Sequence, residues 1–267
     1  MKLLKWLSAI TLVCAIQLRG DDLENARKLI DAGKVQEALQ QLRTLQEARP
    51  GDTVLQLEIG QLLQELAASR VERLRQAAPD SAQAHELSGK VLEAHQRTSD
   101  ALKEYKLAAG KSPHLPGVYF LIGNLYWKQG ELTAAKTALE QELALNANHS
   151  LANLRMGQVL LRMDETRADA AIPFLRKAID NPQTSLQAHR ELGKALRLSG
   201  KPQEAILELK YVAQRVPDDN MIHAQLAAAY RAAGDAAAAR REMEQHSKIL
   251  QAEHERLAQL WRKSNKK

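Results

Sequence analysis

The sequence predicts an all-α array of stacked helix–turn–helix repeats, and three observations carry that expectation. A small residue recurs in LxxLG-like contexts at Gly60, Gly89, Gly123, Gly157, Gly193 and, as alanine, Ala227, at separations of 29, 34, 34, 36 and 34 residues. A second small residue recurs at Ala38, Ala67, Ala101, Ala135, Ala171, Ala205 and Ala239. Aromatic residues make up only 4% of the chain, and no alternating β-branched run argues for strands. A fixed period in this range marks a repeat architecture.

The stretch LIGNLYWKQGELTAAKTALEQELAL, residues 121–145, shows one unit. Tyr119, Ile122 and Tyr126 fall at helical spacing beside Gly123 and form a packing face. Gly130, like Gly200, suits the left-handed conformation that ends a first helix. The small residues mark where two antiparallel helices approach closely. Prolines at 50, 79, 113, 182 and 217 close second helices and start the next turn. One unit cannot bury its apolar face alone, so stacking of neighbours stabilises the array.

In chain order, residues 1–20 are set apart as a leader, and 21–52 form an entry repeat whose second helix is the better preserved. Residues 53–81 form a repeat about five residues short, with a tight turn near Glu65 or two helices running nearly together. Regular units follow at 82–115, 116–149, 150–184, 185–219 and 220–247. Residues 248–267 continue as a C-terminal helix with a basic tail. Met243, Leu250 and Leu257 recur there every seven residues, with Leu260 and Trp261 beyond them. That helix is expected to cap the end of the array, or to offer its stripe to a partner or a second copy.

The period and these residues resemble the tetratricopeptide repeat family over residues 21 to about 247. The resemblance implies a right-handed α–α superhelical solenoid that binds a peptide or protein segment along a concave surface lined by first helices. The repeat register fills the chain and leaves no room for a catalytic domain, and no cofactor is expected.

The leader MKLLKWLSAITLVCAIQLRG combines Lys2 and Lys5 with an uncharged, mostly apolar run from Trp6 to Leu18. This reads as a secretory signal peptide, cleaved after Ala15 or Gly20, since a membrane span needs about 20 apolar residues. An uncleaved short anchor is the alternative. Val13 stands where a lipoprotein signal needs a small residue before its cysteine, here Cys14, the only cysteine of the chain. Export places the protein in a bacterial periplasm or cell envelope. The net charge of +6 comes from the ends. Lys2, Lys5 and Arg19 supply three positive charges and Arg262, Lys263, Lys266 and Lys267 four, which leaves residues 21–261 at −1. A nearly neutral body argues against a nucleic-acid partner.

Catalytic patterns fail individually. HELSG at His85 and HERLA at His254 lack the second histidine of a zinc-protease helix, having Gly89 and Ala258 there. AAGKS ends like a phosphate-binding loop, but Tyr105 stands where that loop needs glycine. No serine lies in a G-x-S-x-G turn. The reading is therefore no enzyme, no metal and no small-molecule substrate. His85, His189 and His223 occupy one equivalent place in their repeats and are expected to be half-buried, facing the previous repeat.

Beside the packing face lies a second stripe at i, i+4, i+7 that the resemblance places on the concave surface. It becomes aromatic and amide-bearing at Phe120, Asn124 and Trp127, apolar at Leu154, Gln158 and Leu161, and cationic at Arg190, Lys194, Arg197 and Arg231. No acidic residue falls on its later part. These ten residues are the candidate groove, for an extended segment with apolar and acidic side chains. The carboxylate clamp of chaperone-binding relatives is not matched: Phe120 replaces its lysine, Arg155 its asparagine and Glu191 a cation. The expected function is a protein–protein interaction scaffold of the periplasm or envelope. The alternative is a membrane-tethered assembly factor oligomerising through its C-terminal helix.

Overall fold

The computed structural model describes residues 23–264, and the expected leader and the end of the basic tail lie outside them. The chain divides between Ala84 and His85 into two compact units. Among the described residues every regular element is helical, and no helix is long and apolar enough to cross a membrane.

The first unit holds α1 (residues 23–31), α2 (Val35–Ala48) and α3 (Thr53–Ala77). Its core is built from Ala26, Ile30, Val35, Ala38, Leu42, Leu55, Ile59, Leu62 and Leu66. The tight turn near Glu65 does not form: α3 is one continuous helix of 25 residues. The reason is local, because QLLQELAASRVERL contains strong helix formers and none of the glycine that ends α1, α6, α10 and α12. Gly60 and Ala67 keep the sequence register of the small residues but make no close approach. A Cβ on Gly60 would meet nothing within 4 Å, and Ala67 is exposed.

The second unit holds α4 (Ala82–Ala94) from His85 onward, then α5 (Thr98–Lys111), α6 (Val118–Gln129) and α7 (Leu132–Leu145). Next come α8 (Ser150–Met163), a 3-10 segment (Glu165–Ala171) and α9 (Ile172–Ile179). The last hairpins are α10 (Pro182–Leu198) with α11 (Pro202–Arg215), and α12 (Asn220–Ala232) with α13 (Ala236–Ser264). From α5 onward each helix packs on its chain neighbour, and α6, α8, α10 and α12 also touch in series, so these first helices lie side by side. Gly130 and Gly200 end α6 and α10 with φ of 81° and 74°. Pro182 opens α10 at its first turn after the cap Asn181, so it starts a first helix and does not close a second one.

The glycine holes are occupied by large side chains of the partner helix. A Cβ on Gly89 would lie 2.4 Å from the Tyr105 ring, on Gly157 2.4 Å from Leu175 and on Gly193 2.6 Å from Leu209. Gly123 is slightly roomier, 2.9 Å from Leu139. Tyr105, Leu139, Leu175 and Leu209 are all at most 1% exposed. The recurring alanines Ala101, Ala135, Ala171 and Ala205 are fully buried beside them. Small residues on the first helix thus admit large knobs from the second.

The three equivalent histidines are half-buried, but each reaches the second helix of its own hairpin. Nδ1 of His85, His189 and His223 lies 2.8, 2.5 and 2.7 Å from Glu104, Glu208 and Glu242. The nineteen-residue interval places histidine and glutamate level across the hairpin.

Candidate functional site

The candidate stripe lies on α6, α8, α10 and α12. The start of α6 is fixed by Glu142 of α7, which is 1% exposed. Its carboxylate accepts the backbone N–H of Gly117 at 3.1 Å and of Phe120 at 3.4 Å. Placing a carboxylate at a helix N-terminus offsets the cost of burying it. Phe120 then rests on the His149 ring, centroids 5.1 Å apart.

The centre is the Trp127–Arg155 pair. The Arg155 guanidinium carbon stands 3.8 Å from the centroid of the indole, a cation–π contact in a partly desolvated place. Burial lowers the pKa of Arg155, and the nearby Glu191 carboxylate opposes that shift. Arg155 Nη1 donates to Gln158 Oε1 at 2.8 Å, and Gln158 Nε2 donates to Glu191 Oε1 at 3.1 Å. A chain of contacts therefore crosses three first helices, from α6 through α8 to α10. Beside it opens a cleft of about 350 Å³ lined by Trp127, Gln158, Leu161, Arg162, Glu165, Glu191 and Lys194.

Three polar atoms around this pair are buried and unpartnered: Asn124 Oδ1, Trp127 Nε1 and Arg155 Nε. One is an acceptor and two are donors. An orphaned buried polar atom costs roughly 1–3 kcal/mol, so three in one place are costly unless a ligand or a local rearrangement satisfies them.

The structure brings Trp127, Gln158, Leu161 and Lys194 of the sequence-expected set to one cleft, and alters the roles of the rest. Leu154 and Leu161 are 6% and 2% exposed, and Gln158 is 9% exposed. They fill the contact with the next hairpin, so an incoming segment meets little more than their edges. The cationic run is also answered by acids from outside the stripe. Arg190 pairs with Asp219 before α12, and Lys194 Nζ lies 2.6 Å from Glu165 of the 3-10 segment. Hydrogen bonding to Lys194 holds the Glu165 carboxyl below its ordinary range, and Arg197 adds to the effect. Burial pushes Asp219 up, but Arg190 and the N–H groups of Met221 and Ile222 outweigh it and lower the net value. The later stripe is therefore not the bare cationic surface that its sequence suggests. Arg231 belongs elsewhere, to an exposed hollow with Ala236, Arg240 and Met243.

Arg155, Glu165 and Glu191 are the members that stripe counting passes over. A groove floor is wider than one i, i+4, i+7 row, and Arg155 and Glu191 each stand one position beside it. Glu165 comes from the segment that interrupts the fifth second helix, whose extra residues show only as the separation of 36 between Gly157 and Gly193.

A tetratricopeptide repeat model matches residues 65–116, 120–185 and 156–220, more than half of the chain. No curated protein matches it. Among solved structures, YrrB, described as a tetratricopeptide repeat protein with an unusual peptide-binding site, superposes with a TM-score of 0.62. It is 18% identical, with 67% of this chain and 91% of YrrB covered. MamA from Desulfovibrio magneticus RS-1, from its residue 41 onwards, gives 0.59 at 19% identity, covering 64% and 96%. A further MamA crystal structure gives 0.58 at 18% identity, covering 65% and 94%. At these identities the likeness is one of fold. With the helical hairpins, the glycine holes and the matched repeats in agreement, the chain belongs to the tetratricopeptide repeat family.

Proposed function

We propose that the chain is a non-enzymatic protein-interaction scaffold that holds an extended peptide segment across α6, α8 and α10. The carrying observation is the Trp127–Arg155 pair with its three unpartnered polar atoms beside an open cleft. A peptide backbone supplies the complementary groups: an N–H for Asn124 Oδ1 and carbonyls for Trp127 Nε1 and Arg155 Nε. Reaching these atoms requires the Arg155 side chain to move off the indole, and an apolar peptide side chain takes its place. The repeat family serves protein–protein interaction, and YrrB, a fold neighbour, is described by a peptide-binding site.

The paired charges refine the expected ligand. An acidic peptide side chain at Lys194 has to displace Glu165, so it gains little net attraction. An apolar or amide-rich segment therefore fits better than a strongly acidic one. Phe120 extends the site towards the start of α6.

Affinity capture from a displayed library of random peptides tests the reading. Peptides retained by the parent are expected to be lost from Trp127→Ala and Arg155→Ala, chiefly through faster dissociation. Retention by both variants would overturn it. We further propose export to a bacterial periplasm or cell envelope, motivated by the basic start and apolar run of residues 1–20. N-terminal sequencing after expression in a bacterial host checks this: Met1 retained in a cytoplasmic fraction would contradict it.

A further inference from the structure

The unpartnered polar atoms follow the repeat register past the Trp127 cleft. The Gln158–Glu191 hydrogen bond joins the residue after Gly157 to the residue two before Gly193, across the gap between α8 and α10. The same register pairs Asn124 with Arg155 and Lys194 with Gln225. The middle pair is closed at 3.1 Å, and the outer two are open. Asn124 Oδ1 and Arg155 Nε are both buried and unpartnered. Gln225 Oε1, on α12, is buried and unpartnered as well. Its register counterpart Lys194 is turned to Glu165 instead, with Nζ 2.6 Å from that carboxylate.

We propose that the peptide groove continues over α12, where Gln225 Oε1 accepts a backbone N–H of the bound segment. The inference rests on the peptide reading of the Trp127 site. A buried amide oxygen without a donor is costly in the free protein, and a ligand that brings a donor removes that cost. Gln225 as a whole is half-buried, and its terminal amide turns about a soft torsion, so the oxygen reaches the groove without a backbone shift. Ala224 and Ala228 bracket it on the stripe, and their methyl groups let a second backbone come close.

Charge favours a backbone donor over a charged side chain. Two cations of α10, Arg190 and Lys194, are already paired with Asp219 and Glu165. A neutral N–H satisfies Gln225 without breaking either pair. The open atoms then form one pattern across four first helices: an acceptor on α6, donors on α6 and α8, and an acceptor on α12. The pattern sets a length. Packed helices stand about 8–10 Å apart, so α6 to α12 is about 24–30 Å, or about eight or nine residues of extended chain at about 3.3 Å each. A site that ended at α10 would need only about five or six.

Backbone ester scanning of library-selected peptides, bound to the full chain, tests it. Each ester replaces one peptide N–H with an oxygen that cannot donate. Gln225→Met keeps the length of the side chain and removes its acceptor. It also removes an unpartnered buried atom, so its melt is expected to be no lower than the parent's. On the parent, one ester near an end of the peptide is expected to weaken binding about three- to tenfold. On Gln225→Met the same ester should cost nothing, and the unmodified peptide should already bind more weakly by that factor. Trimming that end of the peptide should erase the difference between the two proteins. Unchanged affinity of Gln225→Met for the unmodified peptide would overturn the inference, and so would ester costs that are the same on both proteins. Trp127→Ala separates the two readings. Peptides lost from Trp127→Ala but indifferent to Gln225→Met sink only the extension to α12. Peptides weakened by Gln225→Met but kept by Trp127→Ala sink the indole site and leave the α12 contact standing. A parent that retains no peptide overturns both.

Discussion

Gly60 and Gly157 occupy the same place in their repeats and answer the same substitution in opposite ways. Gly157→Ala places a methyl 2.4 Å from Leu175, a fully buried knob that cannot withdraw without leaving a void. Overpacking of this kind costs typically about 1–3 kcal/mol, more than the roughly 1 kcal/mol that alanine gains over glycine in a helix. Gly60→Ala meets no atom within 4 Å, so only the propensity gain remains. Thermal melts are expected to fall for the first and rise slightly for the second. Gln96 is a related case: it turns between α4 and α5 with φ of 60°, where the turns after α1, α6, α10 and α12 have glycine at 74° to 83°. Gln96→Gly relieves a left-handed conformation that costs a non-glycine residue about 1–2 kcal/mol, and the melt should rise. Glu142→Ala is expected to do the reverse. It strips two helix-terminal N–H groups of their acceptor inside the protein, at a cost on the order of 2–3 kcal/mol.

Most of the helices were legible in the sequence, and the exceptions have local causes. The five regular hairpins follow from small residues at a fixed interval with a turn former between them. In α3 the small residues are present but the turn former is missing, and helix-forming residues carry the chain straight through. Periodicity of the glycines alone could not show this; the missing five residues could. The acidic partners of the groove were illegible for a different reason, since Glu165 and Asp219 come from connections whose direction only packing sets. Asp219 also caps α12, accepting N–H bonds from Met221 and Ile222 at 2.9 and 3.3 Å. Its folded-state pKa lies below the ordinary 3.8, so its stabilisation is present above that pH and lost as pH falls through the folded value. Asp219→Asn should therefore lower the melt at neutral pH, and the difference should vanish in strong acid. A difference that persists there would mean that the charge is not what Asp219 contributes.

At the scale of the whole molecule, a nearly neutral array carries, among the described residues, six buried unpartnered polar side-chain atoms, three of which lie around Trp127 and Arg155. The tetratricopeptide repeat supplies rigid first helices side by side, and the variable residues on them decide what is held. Here the cations of α10 and the acids that answer them set the rim, while the indole and its guanidinium lid set the floor. Salt is therefore expected to have a weak effect on affinity, because the rim charges are already paired. The most direct measurement is the indole N–H resonance of Trp127 in nitrogen-15 spectra, assigned by Trp127→Phe, during titration with library-selected peptides. A saturable shift whose midpoint follows the binding isotherm, and which Arg155→Ala weakens, is the expected result. Peptides that bind while this resonance stays still would contradict a site at Trp127 and place the scaffold's binding surface elsewhere.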